Sequence, residues 1–191
     1  MMADQQKEEK STNQAGIPKA VFVANVEKFM QESENETAEK VLRSLDEQYQ
    51  KYKFMEQNLT TKKRRLKAQI PDIKGTLETV QHLMENSTET VDTQFLLADN
   101  LYVKAKVPPT DRVGLWLGAN IMLEYSLEEA QALLEKNLSQ AKSALDVVED
   151  DLGFLRDQST TIEVSMARVY NWDVKRRQQS KAAAVTEDSE T

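Results

Sequence analysis

Residues 95–125 read FLLADNLYVKAKVPPTDRVGLWLGANIMLEY, and apolar and polar positions alternate along much of this segment. Alternation at every second position is typical of β-strands, because successive side chains point to opposite faces of a sheet. Asp99-Asn100 and Gly118-Ala119-Asn120 suit tight turns, since these residues tolerate a positive φ. Pro108-Pro109 separates two strand pairs, because proline lacks the N–H that an inner strand donates. The segment predicts two β-hairpins within residues 91–125.

The two predicted hairpins place large apolar side chains at alternating positions. Those residues are Phe95, Leu97, Leu101, Val103, Val113, Leu115, Leu117, Ile121 and Leu123. Four short strands from one chain leave open sheet edges and an apolar face without cover. We therefore expect several subunits to join their hairpins into a shared β-barrel, which makes the chain an obligate oligomer.

The segment before the hairpins carries apolar residues at seven-residue intervals. One track is apolar or aromatic throughout: Ala38, Leu45, Tyr52, Leu59, Leu66, Ile73 and Val80. The second track is apolar or aromatic at five of seven positions: Leu42, Tyr49, Glu56, Lys63, Ile70, Leu77 and Met84. Tracks separated by alternating steps of four and three residues form the seam of a left-handed coiled coil. This segment is predicted as a helix over residues 36–86.

The segment after the hairpins has the same pattern and is predicted as a helix over residues 127–177. Its tracks are Leu127, Leu134, Ala141, Val148, Leu155, Ile162 and Val169, and Gln131, Leu138, Leu145, Leu152, Ser159, Met166 and Asp173. The two heptad stretches are equally long, roughly 70 Å as helices, and pair if residue 84 faces residue 127. The predicted fold class is mainly α: a long antiparallel coiled-coil helical hairpin with two β-hairpins inserted between the helices.

A further short helix is predicted ahead of the first long one. Residues 18–32 contain a run of apolar positions, and Pro18 would occupy the first turn, where proline is tolerated. Ser33 and Glu36 have the spacing of a capping box, which predicts the start of the helix over 36–86.

The two ends of the chain lack any apolar pattern. Residues 1–15 and 178–191 are polar and are predicted to be disordered tails. A single domain is therefore predicted over residues 16–177. Pro71 lies inside the first long helix, where it is expected to bend the helix rather than break it.

Antiparallel pairing brings a group of apolar residues to the free ends of the two long helices. The group comprises Val21, Phe22, Val26, Phe29, Met30, Val169, Tyr170 and Trp172. Clustered aromatic, Met and Val side chains offer adaptable contacts to varied apolar partners. In the alternative interpretation, the short helix folds back over Trp172 and completes the hairpin. The two interpretations are compatible.

The composition excludes several classes of function. The 191 residues are 39% hydrophobic and 30% charged, with a net charge of −7 and a pI of about 5.0. An acidic chain is unsuited to general nucleic-acid binding or to anionic membranes. Cysteine is absent, and the first ten residues lack the apolar core of a signal peptide. We expect a cytoplasmic protein and leave nuclear entry open.

The sequence offers no set of residues for catalysis. His82 is the single histidine, and its heptad position places it on the solvated side of a helix. Glycines are scattered and match no phosphate-binding motif. Carboxylates spread over helix faces give no closed set of ligands for a metal. We expect no enzymatic activity, no cofactor and no metal.

Several stretches together resemble the prefoldin family, specifically its α-type subunits, which have two hairpins. The most specific are residues 95–102, 107–111, 115–120, Tyr125 with 129–134, and 168–173. The resemblance extends over roughly residues 16–177. It implies a heterohexamer of two α-type and four β-type subunits around a double β-barrel.

The same resemblance implies a function and partners. Non-native proteins, notably actin and tubulin, would be held at the tips of the coiled coils. They would then pass to the cytosolic chaperonin without ATP hydrolysis by the hexamer. The von Hippel–Lindau protein is a further implied partner.

A second function is compatible with the coiled-coil pattern. The chain could be a scaffold or adaptor for cytoskeletal or ubiquitin-ligase components. A plain scaffold would continue its heptads or use a short loop in place of residues 88–126, so the hairpin segment favours the chaperone interpretation.

Overall fold

A computed structural model of the protein describes residues 12, 13, 15–31 and 37–187, with the backbone alone for residues 182–187. The chain divides into two compact units. The first unit comprises the described residues up to Lys62 and those from Val148 onward, and the second unit comprises Lys63–Val147. The two long helices contribute a segment to each unit.

The described elements are three helices and four strands. In chain order they are α1 (Val26–Gln31), α2 (Ala38–Glu85), β1 (Val91–Ala98), β2 (Leu101–Val107), β3 (Arg112–Gly118), β4 (Ile121–Ser126) and α3 (Leu127–Glu187). Strands β1 and β2 form one antiparallel pair, and β3 and β4 form another. The predicted fold class, a mainly helical chain with two β-hairpins between its long helices, is confirmed.

The prediction of a short helix over residues 18–32 is wrong for its first part, residues 18–25. Helix α1 begins only at Val26, because Asn25 caps it by accepting a hydrogen bond from the Lys28 N–H at 3.1 Å. Residues 15–25, together with Thr12 and Asn13, form a non-helical segment that we call the N-terminal strap. Side chains of the long helices bind its backbone groups, which a helix would have satisfied internally.

The long helices start at identifiable caps. Thr37 caps α2, since its hydroxyl accepts from the Lys40 N–H at 3.2 Å, while the proposed capping box at Ser33 and Glu36 lies outside the described residues. Ser126 and Glu129 form a capping box at the start of α3. The Ser126 backbone N–H, hydrogen-bonded to the Glu129 carboxylate, lowers the pKa of Glu129.

The C-terminal boundary also differs from the prediction. Helix α3 continues to Glu187 and so takes in most of the predicted tail over 178–191. Residues 181–184 read KAAA, which have high helix propensity, so the helix extends without an apolar stripe. Helix α2 runs through Pro71 as one element.

The core of the first unit lies between α2, α3 and the strap. Tyr52 from α2 and Leu155, Ile162 and Val169 from α3 are completely buried. The Tyr49 hydroxyl donates to Glu163 at 2.7 Å. This contact agrees within one residue with the antiparallel register predicted from the sequence. The same hydrogen bond raises the pKa of Tyr49.

The core of the second unit combines helix and strand residues. Its buried members are Leu77, Val80, Leu127, Ala130 and Leu134. Val113, Leu115 and Tyr125 pack against them from β3 and β4. The β3–β4 hairpin is thus seated on the helices of its own chain.

Candidate functional site

The eight apolar residues predicted at the helix ends all belong to the first unit, but those on α3 lie at least fifteen residues before its end at Glu187, and the eight differ in exposure. We call this set the helix-end surface. Val21, Phe22 and Tyr170 are exposed at 67%, 51% and 59%. Val26, Phe29, Met30 and Trp172 are partly buried against the core. Val169 is completely buried, so it belongs to the core and cannot contact a partner directly.

The exposure pattern agrees with both interpretations of the helix-end surface, namely a surface for apolar partners and an N-terminal region that folds back over Trp172. The partly buried residues of α1 and Trp172 join one hydrophobic cluster, as expected if the N-terminal region completes the hairpin. Val21, Phe22 and Tyr170 still present large side chains to solvent. Client binding by these residues stays a prediction.

Arginine side chains border the helix-end surface. The Arg168 guanidinium lies 5.5 Å from the Phe22 ring centroid and donates to the Ala24 carbonyl at 2.7 Å. The Arg176 guanidinium lies 5.0 Å from the Trp172 ring centroid. A cation above an aromatic ring is attracted by the negative face of the ring and covers part of it. The sequence analysis did not identify these arginines, although spacing of four residues on α3 relates Arg176 to Trp172.

The second set of predicted residues lies on the strands of the second unit, and we call it the strand surface. Val113 and Leu115 are partly buried against the helices. The other members, each more than two-fifths exposed, are Phe95, Leu97, Leu101, Val103, Leu117, Ile121 and Leu123. So many large apolar side chains exposed on two short hairpins mark an interaction surface.

The hairpins also expose apolar residues on their other face, which the sequence analysis missed. Leu96 pairs with Tyr102 across β1 and β2, and Trp116 pairs with Met122 across β3 and β4. All four side chains are exposed. The runs Phe95-Leu96-Leu97 and Leu115-Trp116-Leu117 are the sequence signal, because three consecutive apolar residues must place one on the opposite face.

The two hairpins have the same turn construction. In each, the pairing register shifts just before the turn, between Leu96 and Ala98 and between Trp116 and Gly118. Asn100 and Asn120 adopt positive φ values of 68° and 61°. Asparagine tolerates this conformation, so the predicted turn residues occupy the positions that require them.

Metal and membrane features were also sought in the described part of the chain. Within residues 12–13, 15–31 and 37–187, His, Asp and Glu side chains form no group of three or more that could hold a metal ion. Over the same residues, no helix is long and apolar enough to span a bilayer. His82 is exposed, and its ring lies 3.3 Å from the amide nitrogen of Asn86 one turn away.

Part of the chain matches a known protein family. The sequence profile of the family Prefoldin, described as prefoldin subunit, matches residues 52–172. The matched range contains both hairpins and most of the paired part of the two long helices.

Similar proteins come from animals and fungi. Prefoldin subunit 3 of Mus musculus is 68% identical over 164 residues, which cover 85% of this chain and 84% of that protein. Prefoldin subunit 3 of Drosophila melanogaster is 53% identical over 175 residues, covering 92% and 90%. Prefoldin subunit 3 of Saccharomyces cerevisiae is 41% identical over 182 residues, covering 90% of each chain.

Proposed function

The chain belongs to the prefoldin family, and we propose that it acts in a heterohexamer with two α-type and four β-type subunits. In this complex it captures non-native proteins and passes them to the cytosolic chaperonin without ATP hydrolysis. The observation that carries the proposal is the helix-end surface. There, Val21, Phe22 and Tyr170 are more than half exposed beside partly buried residues of the same cluster.

The strand surface supports assembly with other prefoldin subunits. Each large apolar side chain that becomes fully buried contributes about 1.5–3 kcal/mol. The exposed strand residues can therefore stabilise a barrel strongly once neighbouring hairpins cover them. Pairing of strand edges also satisfies backbone N–H and C=O groups that a two-stranded hairpin leaves open.

The helix-end surface supports capture by many weak contacts. A few exposed apolar side chains on one subunit bind an unfolded chain weakly, but several subunits that bind one client gain affinity through effective concentration. Arg168 and Arg176 add cation–π and hydrogen-bonding groups at the border of the surface. Such contacts require no catalytic residue.

The finer parts of the proposal concern clients, partners and location. We take actin and tubulin chains as the clients, the cytosolic chaperonin as the acceptor and the von Hippel–Lindau protein as a further partner. The cytoplasm is the proposed location, with the nucleus as a second one. The acidic composition and the absence of cysteine agree with a reducing compartment such as the cytoplasm.

The proposal is tested with the reconstituted hexamer and chemically unfolded actin. The variant Val21→Ser/Phe22→Ser/Tyr170→Ser removes the exposed part of the helix-end surface. We expect this hexamer to assemble normally and to lose most of its suppression of actin aggregation, measured by light scattering.

The matched control replaces Phe54 and Val164 with serine. Both are exposed apolar residues of the same unit that lie outside the helix-end surface. This control should suppress aggregation as the wild type does. Equal suppression by the wild type and the triple variant would contradict the proposal.

A further inference from the structure

The N-terminal strap lies along α3 in the first unit, and both run in the same direction. Asn13 donates to Asp151 at 2.9 Å, and the Ala20 N–H donates to Gln158 at 2.9 Å. Further along, the Val23 N–H donates to the Ser165 hydroxyl at 3.2 Å, and Arg168 donates to the Ala24 carbonyl at 2.7 Å. The strap is thus bound in a defined register over residues 151–168.

Three of these helix residues form a regular polar track. Asp151, Gln158 and Ser165 are seven residues apart, about two helical turns, so they share one face of α3. All three are buried, where polar groups are unfavourable unless they are hydrogen-bonded. The strap supplies a donor to each of them. At the Asp151 end the strap is a turn, in which Thr12 pairs with Pro18 and the Asn13 side chain accepts from the Ala15 and Ile17 N–H groups. From Ala20 to Ala24 the strap is non-helical and follows α3.

The helices bind the strap mainly through its backbone. The Tyr52 hydroxyl donates to the Pro18 carbonyl at 2.7 Å. With the contacts of Ala20, Val23 and Ala24, at least four main-chain groups of the strap are bound by helix side chains. From the side chains of the strap, Asn13 adds a hydrogen bond to Asp151, and the Phe22 ring contacts the Arg168 guanidinium. Main-chain recognition tolerates changes in the side chains of the bound segment.

The side-chain requirements of the groove are small. Ile17, Ala20 and Val23 are buried, whereas Val21 and Phe22 between them are exposed. The groove therefore accepts a small or branched aliphatic side chain at every third position, while Val21 faces solvent and the Phe22 ring lies against Arg168. Unfolded chains offer such segments, whereas folded proteins bury them.

From these contacts we propose that the strap groove is a second capture site for extended segments of non-native chains. The strap is its internal competitor. This inference rests on the proposed chaperone function and assigns it a binding mode. A client segment with aliphatic residues at every third position displaces the strap and takes over its backbone hydrogen bonds. Because the strap is tethered, it competes at high effective concentration, so only clients held elsewhere on the hexamer displace it.

The test uses the hexamer assembled with a chain that lacks residues 1–24, which keeps Asn25 as the cap of α1. The probe is a fluorescent peptide with the sequence of residues 12–25. We expect it to bind the truncated hexamer tighter than the full-length hexamer by about tenfold or more, because the tethered strap no longer competes. Unfolded actin should displace the peptide from the truncated hexamer.

Two controls separate groove binding from non-specific apolar binding. A peptide with aspartate in place of Ile17, Ala20 and Val23 should not bind. The truncated hexamer with Gln158→Leu and Ser165→Ala should lose peptide binding, because the side-chain oxygens that accept from the backbone N–H groups of the bound segment are gone. If the truncated chain does not assemble, full-length Val23→Asp loosens the strap and gives the same readouts.

The results also separate this inference from the proposed function. Absence of peptide binding, or peptide binding that unfolded actin does not compete, would overturn the inference and leave the strap as a structural clamp. If the full-length hexamer still captures actin through the helix-end surface in that case, the proposed function stands. Loss of capture in the Val21→Ser/Phe22→Ser/Tyr170→Ser hexamer supports that function, because these three side chains are exposed while the strap occupies its groove.

Discussion

The first unit covers its paired helices with its own strap, whereas the second unit leaves most of its strand surface exposed. In the first unit, Ile17 and Ala20 from the strap join a core that contains Tyr52, Leu155 and Ile162. In the second unit, the β3–β4 hairpin packs on the helices through Val113, Leu115 and Tyr125, and large residues of both hairpins face solvent. The same heptad pattern therefore serves a unit completed within the chain and a unit that, in the proposed hexamer, other chains complete.

The largest effect is expected from a charge on the strand surface. Val103 pairs with Phe95 on β1 and β2, and both side chains are exposed in the single chain. Val103→Asp should prevent hexamer formation, because an unpaired carboxylate would be buried in the barrel. Mass photometry measures the assembly state. Gln94→Asp, on the opposite face of the same hairpin, is the control and should assemble. Normal assembly of the Val103→Asp variant would show that the strand surface is not part of the interface between subunits.

A large effect is also expected in the core of the first unit. Ile162 is completely buried, so Ile162→Ala should lower the free energy of unfolding by about 2–5 kcal/mol. Thermal unfolding of the assembled hexamer measures the change. Val164→Ala, two residues away and exposed, should change stability by less than about 0.5 kcal/mol. Similar melting temperatures for the two variants would show that the strap and helices do not form one packed core.

An intermediate effect is expected for the contact between α2 and the strap. Tyr52→Phe removes the hydroxyl that donates to the Pro18 carbonyl and should cost about 1–2 kcal/mol. Tyr170→Phe, at an exposed position, should cost far less. Chemical denaturation measures both, and equal values would argue against a stabilising strap contact.

Tyr52 also makes the folding stability depend on pH. Burial raises the pKa of Tyr52 above its ordinary value near 10, so the folded protein keeps this proton at a pH where the unfolded chain releases it. The resulting stability is present below about pH 10 and is lost as the pH rises through the folded pKa. Wild-type stability should therefore fall more steeply above pH 10 than that of Tyr52→Phe. Parallel pH profiles would contradict this assignment.

The smallest effect distinguishes two serines of α3 within the first unit. Ser159 is buried, and its hydroxyl has no hydrogen-bond partner among the described residues. Ser159→Ala should raise stability by about 1 kcal/mol, because an unsatisfied polar group is removed. Ser165→Ala should lower it by a similar amount, since Ser165 accepts from the Val23 N–H. Changes of the same sign in denaturant unfolding would contradict these different roles.

The sequence predicted the regular elements because their periods are strong. Seven-residue spacing identified both long helices, and alternation identified the strands that the structure places at Val91–Ala98 through Ile121–Ser126. The turn residues were also identifiable, since Asn100 and Asn120 adopt the positive φ that asparagine tolerates.

The strap could not be predicted from local pattern. Its backbone is bound by Gln158, Ser165 and Tyr52, residues distant in sequence, and this tertiary contact outweighs helix propensity over residues 18–25. Val169 was assigned to the helix-end surface, although its place on the heptad track with Leu155 and Ile162 already predicts that it is buried. The end of α3 was missed because KAAA at 181–184 has helix propensity without an apolar pattern.

Hydrogen–deuterium exchange tests the comparison between the two units most directly, with the isolated chain measured against the assembled hexamer. We predict that amides of β1 to β4 become strongly protected on assembly, because neighbouring hairpins cover them. Amides of Ala20 and Val23 in the strap should be protected in both states, since their partners belong to the same chain. Equal exchange of the strands in both states, or strap protection that appears only in the hexamer, would contradict the account.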